Sequence, residues 1–219
     1  MCGRGVFNNT DKRLLQKQFH VKKTDITLNN FSITPQQPIP VIRQNESGER
    51  TIDLYQFGLL PSWAKDPKMA HKLINARSET IMEKPAFREA FRKRRCIIPL
   101  SGFYEWHTKT RTPYYFTNTP HDRLLALAGI WEHWQSDRTI HSCAILTTTP
   151  NAIMKPIHHR MPVLLSDETV QAWLAPDLTP KRYRSILEQA QLVPFEHWPV
   201  SREVNNPRHN TELLIKPVE

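Results

Sequence analysis

Cysteine is scarce in this sequence, and a long apolar segment is missing. The 219 residues include three cysteines, Cys2, Cys96 and Cys143, and an odd number without a C-x-x-C pair cannot close a disulfide framework. The longest apolar run, LLALAGIW, is too short to span a bilayer, and the first twenty residues hold no apolar run of the kind a secretory signal requires. We therefore expect a soluble protein of the reducing cytoplasm.

Acidic residues are too few to balance the basic ones. The chain has 30 Lys and Arg against 21 Asp and Glu, which leaves a formal net charge of +9 at pH 7. Such a charge attracts polyanions, and nucleic acid is one of them. The alternative is a basic surface that only keeps the protein in solution.

Repeats, low-complexity tracts and interdomain linkers are also missing, and the length favours one domain over residues 1–219. Runs typical of β-strands dominate from Cys96 to Leu165, and two more, PIPVIRQ and TIDLYQFG, flank the polar turn NESGER. Helices are predicted over residues 11–19, 85–94, 167–174 and 180–191, capped in three cases by Thr10, Ser166 and Thr179. We predict an α+β domain built on a twisted, barrel-like, mostly antiparallel sheet with flanking helices.

Position 2 places a thiol beside the amino end of the chain. Methionine is generally trimmed when the next residue is small, so we expect the mature chain to begin at Cys2 as a 1,2-aminothiol. Reference pKa values of about 8 for the amine and about 8.5 for the thiol leave both groups partly available near neutral pH. Such a pair closes a thiazolidine ring on an aldehyde, through a Schiff base. Alternatively, Cys2 is a small buried hydrophobe.

Two further stretches place ionisable groups in apolar surroundings. In IIPLSGFYEW, Glu105 either faces solvent on an alternating strand or lies in a site that raises its pKa. In IHHRMPVLL, His158 and His159 precede a strand, where a histidine can act as a general acid or base or be merely structural.

Two more stretches carry groups suited to binding. LINARSET sets Asn75, Arg77 and Glu79 behind an apolar pair. FGLLPSWAKD places Trp63 in a proline-marked loop, where an exposed ring can stack on an unpaired base, unless it belongs to the core.

Six motifs occur in order along the chain: MCGR, FGLLPSWA, LINARSET, C-IIP-LSGFYEW, LAGIW and IHHRMPVLL. Together they resemble the SOS response-associated peptidase family from about residue 2 to residue 165, with a weaker match at HWPVSREVNN. A set of six ordered motifs is far more specific than a single one.

The resemblance implies covalent capture of abasic sites in single-stranded DNA, by a monomer that needs no metal or cofactor. The product is a thiazolidine between the amino-terminal cysteine and the aldehyde of the ring-opened sugar, which shields the lesion during the DNA damage response. Lyase activity at the abasic site and self-removal of Met1 are further activities that the resemblance allows.

The resemblance also assigns roles by position within the motifs. Cys2 is the nucleophile, Asn75 orients the amino terminus or the sugar, Glu105 transfers protons, and His158, in preference to His159, assists opening of the sugar ring. The DNA-binding residues are Arg4 and Arg77, which hold flanking phosphates, and Trp63 with Pro35, which occupy the gap left by the missing base.

Two positions depart from the family pattern. Gly5 stands where an aromatic residue usually follows MCGR, and Ser32 stands where an asparagine is common. The first affects local packing, and the second affects the polar contacts of that loop.

Three other functions are open on the residues alone. Cys2 can be the amino-terminal nucleophile of a peptidase, with His158 or Glu105 as its partner. The protein can bind modified DNA without a covalent bond, using its charge. A zinc site of Cys2, Cys96, Cys143 and a histidine is disfavoured because the spacings match no compact zinc pattern.

Overall fold

A computed structural model describes residues 2–8, 12–23, 25–119 and 123–218, apart from the side chains of Lys12 and Lys23. Over these residues the chain forms thirteen β-strands and four α-helices. In chain order they are β1 (Gly5–Phe7), α1 (Lys12–Phe19), β2 (Val21–Lys23), β3 (Asn30–Ile33), β4 (Pro38–Gln44), β5 (Arg50–Phe57), β6 (Asn75–Arg77), α2 (Arg88–Lys93), β7 (Arg95–Leu100), β8 (Gly102–Trp106), β9 (Pro113–Asn118), β10 (Leu125–Gln135), β11 (Thr139–Thr148), β12 (Met161–Pro162), α3 (Asp167–Leu174), α4 (Pro180–Ala190) and β13 (Phe195–Pro199).

The larger sheet closes on itself. Antiparallel pairing joins β11 to β10, β10 to β7, β7 to β4 and β4 to β5, and a short parallel pairing of β5 with β11 completes a ring of these strands. The short strand β6 pairs with the other end of β11, so that Asn75 lies opposite Ile145. The predicted barrel-like, mostly antiparallel sheet is therefore confirmed.

The chain passes from one sheet to the other at Ser101. Strand β7 belongs to the ring, whereas β8 belongs to a five-stranded antiparallel sheet in the order β13-β9-β8-β1-β3. The N–H of Ser101 donates to the carbonyl of Val6 (2.8 Å), and its Oγ accepts from the N–H of Asn8 (2.9 Å). This crossing places the end of β8 beside the start of the chain.

The helices cover the ring and share its apolar core. Buried side chains from all four helices, including Phe19, Phe91, Trp173 and Tyr183, belong to one cluster with those of the ring. Ser166 caps α3 with a reciprocal pair of side-chain bonds to Thr169, an arrangement that contributes about 1 kcal/mol.

Most predicted elements are confirmed, and two differ. Thr179 caps α4 as expected, with Pro180 in its first turn, whereas Thr10 lies outside the described residues. Helix α2 begins at Arg88 and not near Pro85, because residues 85–87 form a turn first. The run MPVLLS contributes only the two residues of β12 and a single bridge at Leu164.

Candidate active site

Cys2 lies in the interior, next to the end of β6. Its side chain is 3% exposed, and its carbonyl accepts a hydrogen bond from Nδ2 of Asn75 at 3.1 Å. The other polar atom of that amide, Oδ1, is buried without a hydrogen-bond partner among the described residues. A buried acceptor without a partner costs about 1 to 3 kcal/mol, so Asn75 holds Cys2 on one side and keeps an unsatisfied acceptor on the other.

Glu105 and His158 form a pair at the same place. Glu105, at the end of β8, is 4% exposed, and its Oε1 lies 3.1 Å from Nε2 of His158. Burial raises the pKa of the Glu105 carboxyl, whereas burial is the largest cause that lowers the pKa of His158 to about 4. Of the two alternatives for Glu105, exposure to solvent on an alternating strand is excluded by its burial, and a buried position with a raised pKa is what the structure has.

The backbone of Arg160 holds the other face of the imidazole. Nδ1 of His158 lies 3.1 Å from the N–H of Arg160 and 3.2 Å from its carbonyl oxygen. Either neutral tautomer of His158 therefore has a backbone partner at Nδ1, while Nε2 can donate to the Glu105 carboxylate or accept from the protonated carboxyl.

The side chain of Arg160 anchors this loop to the ring. Its guanidinium donates to both carboxylate oxygens of Glu79 (2.7 and 2.9 Å) and to the carbonyl of Thr147 on β11 (2.6 Å). The Arg160 hydrogen bond is the largest cause that lowers the pKa of Glu79. A bidentate pair of this kind fixes both distance and orientation, which gives His158 a rigid support.

A cavity of about 300 Å³ lies over the pair. Its walls come from the end of β8, from the loop that follows, and from the loop before β12. The lining residues are Glu105, Trp106, Thr108, Arg111, His158 and His159. A volume of this order suits a small polar ligand or part of a larger one.

The thiol of Cys2 differs from its expected state. Burial, and then the negative charge of Glu105, raise the pKa of the thiol well above its usual range. The thiol therefore ionises less readily in this buried position than the reference pKa of a solvated thiol implies. It needs a base before it can act as a nucleophile.

Arg4 is largely engaged inside the protein. Its Nη1 donates to Oγ of Ser32 (2.9 Å) and to the carbonyl of Val204 (2.7 Å), and its guanidinium lies 5.8 Å from the ring centre of Trp106. Ser32, one departure from the family pattern, thus makes a polar contact after all. At Gly5, the other departure, an added Cβ would lie 3.1 Å from Leu100, which occupies the space of a larger side chain.

The remaining predicted binding residues lie at the surface. The exposed Arg77 has no side-chain hydrogen bond or ion pair within the described part of the chain. Trp63 is 56% exposed, so the core reading of this residue is wrong. Pro35 is half-buried and lies in a turn. The next residue, Gln36, donates its N–H to the carbonyl of Phe57, and the segment that leads to Trp63 starts at that residue.

Gly58 fixes the start of the Trp63 segment. Its φ of +127° is a conformation that L side chains rarely adopt, and an added Cβ would lie 2.5 Å from the carbonyl oxygen of Ala70. Farther along, the indole N–H of Trp134 donates to the carbonyl of Ala64 at 2.8 Å. These contacts fix the backbone on both sides of Trp63, whose ring is exposed.

Three parts of the site were missed in the sequence. The support of His158 by Arg160 and Glu79 was not predicted, although both residues stand inside quoted motifs. The hydrogen bond from the indole N–H of Trp106 to Oδ1 of Asn205 (2.8 Å) was not predicted. The position of Arg111 in the cavity wall was not predicted either. For Asn205, the sequence signal was the weak motif match HWPVSREVNN.

Among the described residues no three His, Cys, Asp or Glu side chains are grouped so as to hold a metal ion, and Cys96 and Cys143 are buried free thiols. Over the same residues no helix has both the length and the apolar character needed to cross a bilayer.

Comparison with known proteins identifies the family. The model of the SOS response associated peptidase (SRAP) family matches residues 1–207. The abasic site processing protein YoqW of Bacillus subtilis is 38% identical over 214 residues, which cover 95% of this chain and 91% of that protein. The abasic site processing protein HMCES of Xenopus tropicalis is 31% identical, over 83% of this chain and 64% of its own length.

A solved structure of a Bacteroides thetaiotaomicron protein has the same fold, with a TM-score of 0.83 over the full length of both chains at 22% identity. The motifs, the fold and these relatives agree: the chain belongs to the SOS response-associated peptidase family.

Proposed function

We propose that this protein captures abasic sites in single-stranded DNA covalently, through Cys2 after removal of Met1. The observation that carries the proposal is the buried arrangement in which Asn75 holds the backbone of Cys2 beside the Glu105–His158 pair. The names of the relatives support DNA abasic sites as the substrate, and the net charge of +9 favours a polyanion.

The first step releases the aldehyde of the sugar. An abasic deoxyribose is mostly a closed hemiacetal, so a proton must leave the anomeric hydroxyl and another must reach the ring oxygen as the C1′–O4′ bond breaks. We assign this transfer to His158, which is neutral at pH 7 because its pKa is about 4 and which exchanges a proton with Glu105 across 3.1 Å.

The next steps form the ring. The amine of Cys2 adds to C1′ to give a carbinolamine, and Glu105, whose raised pKa lets it hold a proton, donates to the departing hydroxyl so that water leaves and an imine forms. The sulfur then adds to C1′ and the thiol proton passes to the nitrogen. One water is released and no electrons are gained or lost. Because burial raises the pKa of the thiol, the amine is the group that reacts first.

The unsatisfied Oδ1 of Asn75 suits a bond made only in the reacting complex. It is buried and lacks a partner in the described residues, while Nδ2 of the same side chain bonds to the Cys2 carbonyl. An amine or hydroxyl hydrogen from Cys2 or the opened sugar would satisfy it. Asn75 would then orient the reacting groups through both atoms of its amide.

DNA outside the lesion would be held by charge and stacking. Arg77 presents an exposed guanidinium next to β11, and Arg4 adds a half-buried positive charge beside Trp106. Trp63, together with Pro35, would occupy the gap left by the missing base. A single strand is preferred because its unstacked bases leave that gap open.

The proposal is tested by mixing the purified protein with a single-stranded oligonucleotide that carries one abasic site, followed by a denaturing gel. We expect a shifted band with the wild-type protein and none with Cys2→Ala. Cys143→Ala is the matched control, since it removes a buried thiol of the ring and should leave the band intact. An unmodified protein that gives no band overturns the proposal, as does intact mass spectrometry that finds Met1 still attached.

Cys2→Ser separates the two bonds of the product. The serine variant keeps the α-amine and lacks the sulfur, so it can form the imine but not the thiazolidine. We expect its band only when borohydride is added to reduce the imine. A stable band without reduction would show that the sulfur is not part of the linkage.

The same variants test the two other functions. A peptidase with Cys2 as nucleophile would hydrolyse peptides and lose that activity in Cys2→Ser. A non-covalent DNA reader would keep its binding in Cys2→Ala and lose all complexes on the denaturing gel.

A further inference from the structure

The cavity over the Glu105–His158 pair has a cationic rim that the proposed reaction does not use. Arg111 lies in the connection between β8 and β9 and lines the cavity with His158 and His159. Its side chain is exposed, and within the described residues its guanidinium has no hydrogen bond or ion pair. It therefore offers unoccupied donors at the mouth of the site.

The backbone of Arg111 is held in an unfavourable conformation. Its φ of +59° lies in the left-handed region, which residues other than glycine, asparagine and aspartate adopt only rarely. Residues kept in this region cluster at ligand-binding sites, where the surrounding structure enforces them.

The surrounding loop supplies that enforcement. The N–H of Arg111 donates to the carbonyl of His107, and the N–H of His107 donates to the carbonyl of Thr112, both at 2.9 Å. Nδ1 of His107 also accepts from the N–H groups of Lys109 (3.2 Å) and Thr110 (3.1 Å). The loop thus closes on the His107 ring, and the direction of the Arg111 side chain is set by its backbone.

A further bond couples this loop to the histidine loop. The N–H of Thr108 donates to the carbonyl of Ile157 at 3.0 Å, directly before His158. His159 is exposed and stacks on His158, with ring centres 4.3 Å apart and planes at 27°. Arg111 and His159 therefore occupy one rim of the cavity, tied to each other through the backbone.

The state of Arg111 contrasts with that of its neighbours. Arg160 is paired with Glu79, and Arg4 donates to Ser32 and Val204. A guanidinium with free donors beside a histidine fits a tetrahedral oxyanion, which it can bind through two parallel N–H groups. In a DNA strand that enters the cavity, the group of this kind is the phosphodiester.

We propose that Arg111, with His159, binds one of the two phosphates that flank the abasic sugar. This inference rests on the proposed function and adds a phosphate-binding subsite to it. The subsite would hold the sugar against the Glu105–His158 pair, so Arg111 is a substrate-binding residue that does not itself transfer a proton.

The test measures binding of a single-stranded oligonucleotide with a tetrahydrofuran analogue of the abasic sugar, which has no aldehyde and cannot react. We expect Arg111→Ala to weaken binding about tenfold, as for the loss of a charged hydrogen bond, and His159→Ala to weaken it by a smaller factor. The slope of log affinity against log salt should fall by about 0.7 in Arg111→Ala, the value for one phosphate of a single strand.

Arg138→Ala is the matched control. Arg138 is an exposed arginine in the turn between β10 and β11. The ten residues of β11, a length of about 30 Å, separate it from the end of that strand that pairs with β12, next to the histidine loop. It removes the same charge without touching the cavity. If Arg111→Ala and Arg138→Ala have the same affinity and salt slope, the inference is wrong.

Neutral methylphosphonate linkages identify the phosphate. Replacing the phosphate that Arg111 contacts should weaken binding of the wild type about tenfold and binding of Arg111→Ala hardly at all. Replacing the other flanking phosphate should weaken binding of the two proteins by the same factor. Additive losses at both linkages would contradict the subsite. Arg111→Gly, which accepts a positive φ, should lose binding as Arg111→Ala does without a lower melting temperature, so misfolding cannot account for the loss.

These results are independent of the chemistry at Cys2. If the wild type forms no covalent band with a true abasic site, the proposed function is wrong whatever Arg111 does. If the wild type forms the band and Arg111→Ala binds the analogue like the control, only the phosphate subsite is wrong.

Discussion

Replacing Asn75 with alanine should slow DNA capture without the loss of stability that usually follows removal of a buried polar side chain. The substitution removes the bond from Nδ2 to the Cys2 carbonyl, which is worth about 0.5 to 1.5 kcal/mol. It also removes Oδ1, whose burial without a described partner costs about 1 to 3 kcal/mol. The two effects oppose each other, and we expect the free energy of unfolding to change by about 1 kcal/mol or less in either direction.

The effect on the reaction should be larger. If Oδ1 accepts a hydrogen bond only when the Cys2 amine and the sugar are reacting, its loss removes stabilisation of the transition state alone. A hydrogen bond that involves a charged group contributes about 1.5 to 3 kcal/mol, which corresponds to a capture rate about 10 to 100 times slower. Asn75→Asp should be at least as slow, because it replaces the donor to the Cys2 carbonyl with a second acceptor.

Two assays check this reasoning. Urea denaturation of wild type and Asn75→Ala gives the stability difference, and single-turnover capture of an abasic oligonucleotide, sampled on denaturing gels, gives the rate. A loss of more than about 2 kcal/mol would mean that Oδ1 is satisfied in the folded protein. Capture within twofold of wild type would remove Asn75 from the reaction.

Three further predictions concern the same site. Because the pKa of Glu105 is raised, this carboxyl keeps its proton to higher pH than an ordinary glutamate and loses it as the pH rises further. The ratio of wild-type to Glu105→Gln capture rates in single-turnover assays should therefore fall with increasing pH. A ratio that stays constant would contradict proton transfer by Glu105. The pKa of His158 is lowered to about 4, so its contribution to stability is present above about pH 6.5 and is lost as pH falls to 4. In denaturation experiments, the stability of the wild type relative to His158→Gln should fall by about 1 to 2 kcal/mol over this range. A stability difference that does not change with pH would refute the lowered pKa. Trp63→Ala should weaken binding of the abasic analogue by about 1 to 3 kcal/mol while Trp63→Phe retains most of it, and equal losses would exclude stacking.

Much of the secondary structure was accessible from local patterns. The caps Ser166 and Thr179 and the turn between β4 and β5 depend on residues close in sequence, and each is found where it was predicted. The segment around Ser101 shows the limit of such reasoning. An unbroken run of β-type residues predicts strand, but the change of partner from one sheet to the other depends on bonds to Val6 and Asn8, about 93 residues away in the chain.

The candidate site was predictable as residue types and only partly as geometry. The motifs named Cys2, Asn75, Glu105 and His158. The structure pairs Asn75 with Cys2 and Glu105 with His158, and Glu105 is close enough to Cys2 for its charge to raise the pKa of the thiol. The raised pKa of the Cys2 thiol was not predictable, since reference pKa values describe a solvated group.

Long-range pairs were beyond reach for a similar reason. Arg160 and Glu79 are 81 positions apart, and nothing in either local sequence specifies that they meet. The same holds for Arg111, whose importance depends on a loop conformation and on a neighbouring loop from another part of the chain.

The bond from Arg4 to the carbonyl of Val204 joins positions 200 residues apart, and Trp106 is held by Asn205 from the same late segment. Since ribosomes build a chain from its amino end, Arg4 is synthesised 200 residues before Val204 and cannot make this bond until then. The guanidinium of Arg4 would thus stay solvated during synthesis and become fixed beside Trp106 only after this late segment has folded against it.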